Sequence, residues 1–155
     1  MKSKGSKALR CSAAACLLSA LAPLAMAEQP LGPRTPILLD AVERQFLQTE
    51  MHLNLRALQV IYASLAGKDP ARASEAAASR GMSTFGDKDP SRPRTLTAKL
   101  PPAWRAMAGA GRAGFDELAA GLAAREPEAV TFGRLARLHE NCNACHAVFR
   151  LDELR

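Results

Sequence analysis

The 155-residue chain reads as all-α, an antiparallel four-helix bundle. Three observations predict this. Apolar residues recur every three or four positions over long stretches. No stretch sustains the apolar–polar alternation of a half-buried strand. Gly and Pro divide the chain into four helix-length segments with short connections, apart from one long loop.

The N-terminus is set aside first. Lys2, Lys4, Lys7 and Arg10 flank the start of an apolar run over residues 13–25, and Ala25-Met26-Ala27 gives the small-x-small pattern that signal peptidase reads. Residues 1–27 are therefore expected to be a cleaved signal peptide, with 28–155 a single exported domain in the periplasm. The run is too short and Ala-rich for a convincing membrane span, so none is expected after processing. The whole chain carries a net charge of +6. Cleavage removes four cations and no acid, leaving 17 Lys+Arg against 15 Asp+Glu. Basicity thus belongs mostly to the export signal and predicts no nucleic-acid partner. Cys11 and Cys16 leave with it, so Cys142 and Cys145 alone remain.

After a Pro-rich lead-in (Pro30, Pro33, Pro36), the first helix is expected over residues 37–66. Its apolar stripe reads Leu38, Val42, Phe46, Met51, Leu55, Leu58, Tyr62 and Leu65, and Gly67 is expected to end it as a left-handed cap. Asp69-Pro70 restarts the chain, Asp as N-cap and Pro in the first turn, for an Ala-rich helix over 71–80. Residues 83–100 read as a loop, broken by Gly86, Pro90 and Pro93. The third helix starts at Pro101-Pro102 and carries Trp104, Met107, Ala108, Phe115, Leu118 and Leu122 inward. Its Gly109, Gly111 and Gly114 weaken it but permit close approach of a neighbour or a flat ligand. The fourth starts at Glu126-Pro127, with Val130, Leu135, Leu138, Cys142, Cys145 and Phe149 on its inner face.

The motif that carries chemistry is Cys142-Asn143-Ala144-Cys145-His146. Two thiols three residues apart match the two vinyl groups of a haem, and a histidine directly after the second can turn its imidazole onto the iron. The reading is one covalent haem c, held by Cys142 and Cys145, with His146 as axial ligand. Zinc would need about four ligands, and only His52 and His139 could join the motif. A thioredoxin-like pair expects a βαβ context, which the pattern lacks. A structural disulfide would close a trivial loop. The class of non-haem thiol or zinc protein is thus the minor alternative.

A C-terminal C-x-x-C-H on the last helix of an exported four-helix chain resembles the class II cytochromes c, the cytochrome c′ group. The continuation Ala147-Val148-Phe149-Arg150 strengthens the resemblance, because the group commonly has an aromatic then a basic residue there. It implies an antiparallel bundle with the haem near the C-terminal helix and the first helix on the open side of the iron. It also implies that Arg44-Gln45 corresponds to the group's Arg-Gln pair at the haem propionates, and that homodimers form through the first helix. Arg150, four residues after His146, is a further candidate for the imidazole or propionate edge.

The sixth iron position separates two functions. Filled by a thioether, it makes a one-electron carrier with a redox partner protein; open, it makes a binder of nitric oxide or carbon monoxide. Met51 is the candidate sixth ligand. Aligning Arg44-Gln45 literally brings Gln48 there instead, favouring an open site. His52 points about 100° away from Met51 and reads as surface, His139 as structural, and Met82 and Met107 as core. Phe46, Trp104 and Phe115 are expected to wall the haem pocket. No catalytic Ser/His/Asp arrangement or phosphate-cradling Gly-rich loop is apparent, so no enzymatic activity is expected.

Overall fold

A computed structural model of the chain describes residues 32–84 and 89–154. The chain divides into Met1–Pro30 and Leu31–Arg155. The expected signal peptide lies outside the described residues, as do Gly86 and its neighbours in the expected loop.

The described chain is mostly helical. In order it forms β1 (Thr35–Leu39), α1 (Ala41–Ala66), α2 (Pro70–Ala78), α3 (Leu96–Lys99), α4 (Pro102–Ala123), α5 (Glu128–Val148) and β2 (Phe149–Glu153), with a 3-10 turn at Met82–Thr84. The four long segments match the expected helices closely. The helix expected over 71–80 is α2, and the loop expected over 83–100 holds α3 and the 3-10 turn.

The strands correct the helical expectation at both ends. β1 and β2 pair in parallel, Thr35 opposite Phe149 through Leu39 opposite Glu153. In β1 Ile37 and Leu39 are buried while Leu38 between them faces out. That alternation is too short to register as a pattern in the sequence. α5 ends at Val148, so Phe149 and Arg150 stand on β2 rather than on the last helix turn, and Arg150 is not one helical turn beyond His146.

The helix ends follow local chemistry. Asp40 and Glu43 form a capping box at the start of α1, each side chain accepting from the other's backbone N–H. Asp69 accepts from the Arg72 N–H at 3.0 Å, as its N-cap reading predicts. Gly67 is not the left-handed residue: its φ is −80°, and Lys68 takes φ 56° instead. The Asp69 N–H then reaches back to the Ser64 carbonyl at 2.8 Å, closing a Schellman turn. The α4–α5 turn repeats this build. Arg125 has φ 53° and the Glu126 N–H bonds the Gly121 carbonyl at 3.0 Å. Both turns thus read cation, acid, proline: Lys68-Asp69-Pro70 and Arg125-Glu126-Pro127.

Packing runs α1 on α2, α2 on α4, and α4 on α5. The backbones of α1 and α5 stay apart along their length. They meet through side chains, Tyr62 against His139 with ring centroids 6.1 Å apart, and β1 and β2 join at their outer ends. Two apolar clusters result. One gathers Leu58, Ile61, Phe115, Leu118, Leu135 and Leu138. The other gathers Ile37, Leu39, Leu96, Leu100, Trp104 and Phe149.

The apolar stripe expected on α1 is displaced. Leu38, Val42, Leu55 and Tyr62 are exposed, and so is Val130 on α5. The buried positions of α1 are Glu43, Leu47, Ala57, Leu58, Ile61 and Ser64. Glu43 turns inward because cationic and hydroxyl partners wait there: Lys99 Nζ at 2.5 Å and Thr95 Oγ1 at 2.6 Å. A periodicity read from apolar residues alone misses a stripe that charge pairing completes.

Candidate functional site

Between the two clusters lies a cavity that opens to solvent. α1 supplies Phe46, Glu50 and Asn54 at four-residue spacing, with Leu47 and Met51 beside them. α4 supplies Trp104, Met107, Ala108, Gly111, Arg112 and Phe115. α5 supplies Leu138, Asn141, Cys142 and Cys145, again one helix face. Thr84, Asp89 and Arg92 close it from the segment between α2 and α4.

The expected cysteines therefore stand on one helix face and border the same cavity. Both are half-buried free thiols. Burial pushes both thiols above their ordinary pKa, and each-other proximity adds to this for Cys145. A redox dithiol has the opposite property, a thiolate favoured near neutral pH. Gly111 sets the distance between α4 and this part of α5. A Cβ there would stand 3.0 Å from Asn141 Nδ2, which itself donates to the Met107 carbonyl at 3.0 Å.

His146 is exposed at the end of α5 and borders a smaller adjoining cavity. Its carbonyl accepts from Arg34 at 3.5 Å. Met51, Trp104 and Cys145 border both cavities. Of the three α1 residues weighed for the sixth position, Met51 alone lines them; Gln48 and His52 are exposed. Phe46, Trp104 and Phe115 wall the main cavity, as does Met107, while Met82 is exposed. His139 bonds the Leu135 carbonyl through Nδ1 at 2.8 Å and lines neither cavity, in keeping with a structural role.

Arg44 and Gln45 are not brought to the main cavity. Arg44 pairs with Glu153 of β2 at 3.7 Å, and Gln45 is exposed. Arg150 pairs with Asp152 at 2.7 Å and borders the smaller cavity beside His146.

Charged residues that apolar periodicity passed over form the rest of the site. Glu50 bridges two guanidiniums, Arg80 at 2.8 Å and Arg112 in closer contact. Arg80 Nε also donates to Asn54 Oδ1 at 2.8 Å, and Arg112 donates to the Arg80 carbonyl at 3.0 Å. The Arg80 and Arg112 side chains are nearly fully buried. Burial, then the neighbouring Arg80 charge, lower the Arg112 pKa from its usual value; Glu50 works against that. The sequence signal for this cluster was a single arginine on the otherwise apolar face of α4.

The residues fit a haem. Two thiols border a cavity walled by Phe46, Trp104 and Phe115; the histidine that follows them borders the adjoining cavity, and the Met51 thioether on α1 borders both. Among the described residues, no three His, Cys, Asp or Glu side chains converge as a metal-ion set, and no helix is long and apolar enough to cross a membrane. Compared with known proteins, the chain matches no family model, no curated protein and no solved structure.

Proposed function

We propose that the chain is an exported c-type cytochrome of the class II kind, carrying one covalent haem and passing single electrons between partner proteins in the periplasm. In this reading α1, α2, α4 and α5 are an antiparallel four-helix bundle, opened between α1 and α5 to admit the cofactor. The observation that carries the reading is the pair Cys142 and Cys145 bordering one largely apolar cavity, with His146 next in the chain.

Cys142 and Cys145 would hold the haem by thioether bonds and His146 would ligate its iron. Bound there, the haem supplies the one-electron couple. The chain supplies attachment, burial and electrostatics. Trp104, Phe46 and Phe115 exclude water, which penalises charge at the site and tunes the couple. Met51 is the sixth-ligand candidate, since it alone among Gln48, Met51 and His52 borders the cavities. Thioether ligation favours electron transfer over gas binding.

The test is the spectrum of the purified mature protein. We expect a red colour that survives acidic acetone, a low-spin ferric form and a far-red Met–iron band that Met51→Ala abolishes. A high-spin spectrum that shifts on adding nitric oxide replaces the carrier with the gas binder. Colour that is absent or extracted by acidic acetone replaces both with a non-haem thiol or zinc protein. Cys142→Ser with Cys145→Ser should abolish covalent attachment altogether.

A further inference from the structure

The walls of the main cavity differ in charge. α5 lines it with Leu138, Asn141 and the two cysteines, none of them an ion. Glu50 on α1, Arg112 on α4, and Asp89 and Arg92 on the α2–α4 segment line the rest. Arg80, just past α2, stands behind Glu50. These five act on one another electrostatically: Asp89 is held below its ordinary pKa by the Ser91 hydroxyl and N–H, and further by Arg80 and Arg92. No charged side chain acts comparably on either thiol.

Three guanidiniums and two carboxylates of the described residues meet here in a partly desolvated place. Arg92 carries the open donor among them. Its terminal nitrogen donates to Thr97 Oγ1 at 3.1 Å, yet its buried Nε has no hydrogen-bond partner. Buried donors are almost always paired, so this one points to a ligand acceptor.

We propose that Arg92 and the Glu50-bridged Arg112 seat the anionic edge of the cavity's occupant, which is the two propionate carboxylates of the haem; this rests on the haem reading above. A haem held on α5 through its vinyl groups would have its propionates toward the walls away from α5, where the cations are. Arg44, Gln45 and Arg150 then serve the strand end of the molecule, where Arg44 and Arg150 already pair with Glu153 and Asp152.

The experiment is the reduction potential of the holoprotein followed against pH, in the wild type and in Arg92→Gln, Arg92→Lys and Arg56→Gln. A guanidinium beside a carboxylate lowers its pKa by about one to three units. The pH at which the potential begins to vary should therefore rise by about one unit or more in Arg92→Gln. Arg92→Lys keeps the charge but loses the Nε donor, and should give a smaller rise. Arg56, exposed on α1 outside the cavity, should give none. Glu50 and Asp89 also face the cluster, so Asp89→Asn in the Arg92→Gln background should leave the raised onset in place. Haem-loaded Arg92→Gln and Arg92→Lys that both titrate with the wild type overturn this proposal alone. A wild type without covalent haem overturns it together with the reading on which it rests.

Discussion

On one side of the cavity Leu58, Ile61, Leu118 and Leu135 pack at a helical end closed by two Schellman turns. On the other, Leu39, Leu96, Trp104 and Phe149 come together from four separate elements, held by strand pairing and by ion pairs far apart in the sequence. The first end is local: its connections are three and four residues long and cap themselves. The second end is long-range: β1 joins β2 across more than a hundred residues, and Glu43 ties α1 to Thr95 and Lys99. A closed end of the first kind fixes the helices relative to one another. An end of the second kind can hold α1 and α5 apart, and the cavity lies where they are apart.

The largest effect expected comes from the polar bridge on the cavity wall. Glu50→Ala leaves the Arg80 and Arg112 guanidiniums buried without their shared carboxylate. Breaking a buried pair from one side typically costs 3–5 kcal/mol, so a loss of about 3 kcal/mol is expected. Urea unfolding of the variant measures it. Glu50→Ala with Arg80→Met should recover part of the loss, because one of the two buried cations that lost the Glu50 carboxylate is then replaced by an apolar side chain. A loss below about 1 kcal/mol for the single variant would mean the bridge is not part of what shapes the cavity.

This asymmetry also explains what the sequence disclosed. The closed end was legible because its signals are local: Asp69-Pro70 starts a helix, and Leu58, Phe115, Leu118 and Leu135 recur with helical spacing. The Cys142-Asn143-Ala144-Cys145-His146 motif was legible for the same reason, five consecutive residues. The open end was not. Ile37 and Leu39 alternate over too few positions to declare a strand, and β1 has its partner only in β2. Glu43, Glu50 and Arg112 occupy inward positions that hydrophobicity assigns to solvent, because each is buried by a partner that no local pattern names. Even at the closed end one detail escaped. Gly67 looked like the left-handed cap, yet Lys68 takes that conformation.

A smaller effect, with a pH signature, is expected at Glu43. Burial pushes this carboxyl up. Lys99, the Thr95 hydroxyl and the Asp40 N–H outweigh burial and hold it below its ordinary value of 4.5. The folded state therefore binds this proton less readily than the unfolded one. Its contribution is complete above about pH 4.5 and is lost as pH falls through the lower, folded value. Glu43→Gln should cost about 2 kcal/mol at pH 7, the scale of hydrogen bonds to a charged group. The difference from wild type should shrink steadily below pH 4.5. A gap that stays constant to pH 3 would assign the loss to packing rather than to charge.

The smallest effect tests the closed end by improving it. Lys68 and Arg125 hold left-handed backbone, φ 56° and 53°, in which a Cβ is strained by about 1 kcal/mol. Glycine removes the strain but frees the unfolded chain, which offsets part of the gain. Each of Lys68→Gly and Arg125→Gly should therefore stabilise by roughly 0.5 kcal/mol. Both residues are exposed, and among the described residues neither side chain makes an ion pair. Lys99→Gly is the contrasting change at the open end. It deletes the Glu43 and Asp40 contacts and interrupts α3, so it should destabilise. Thermal melts of the three variants decide the comparison. If Lys68→Gly lowers the midpoint, the turn is held by its side chain and the closed end is less local than its backbone indicates.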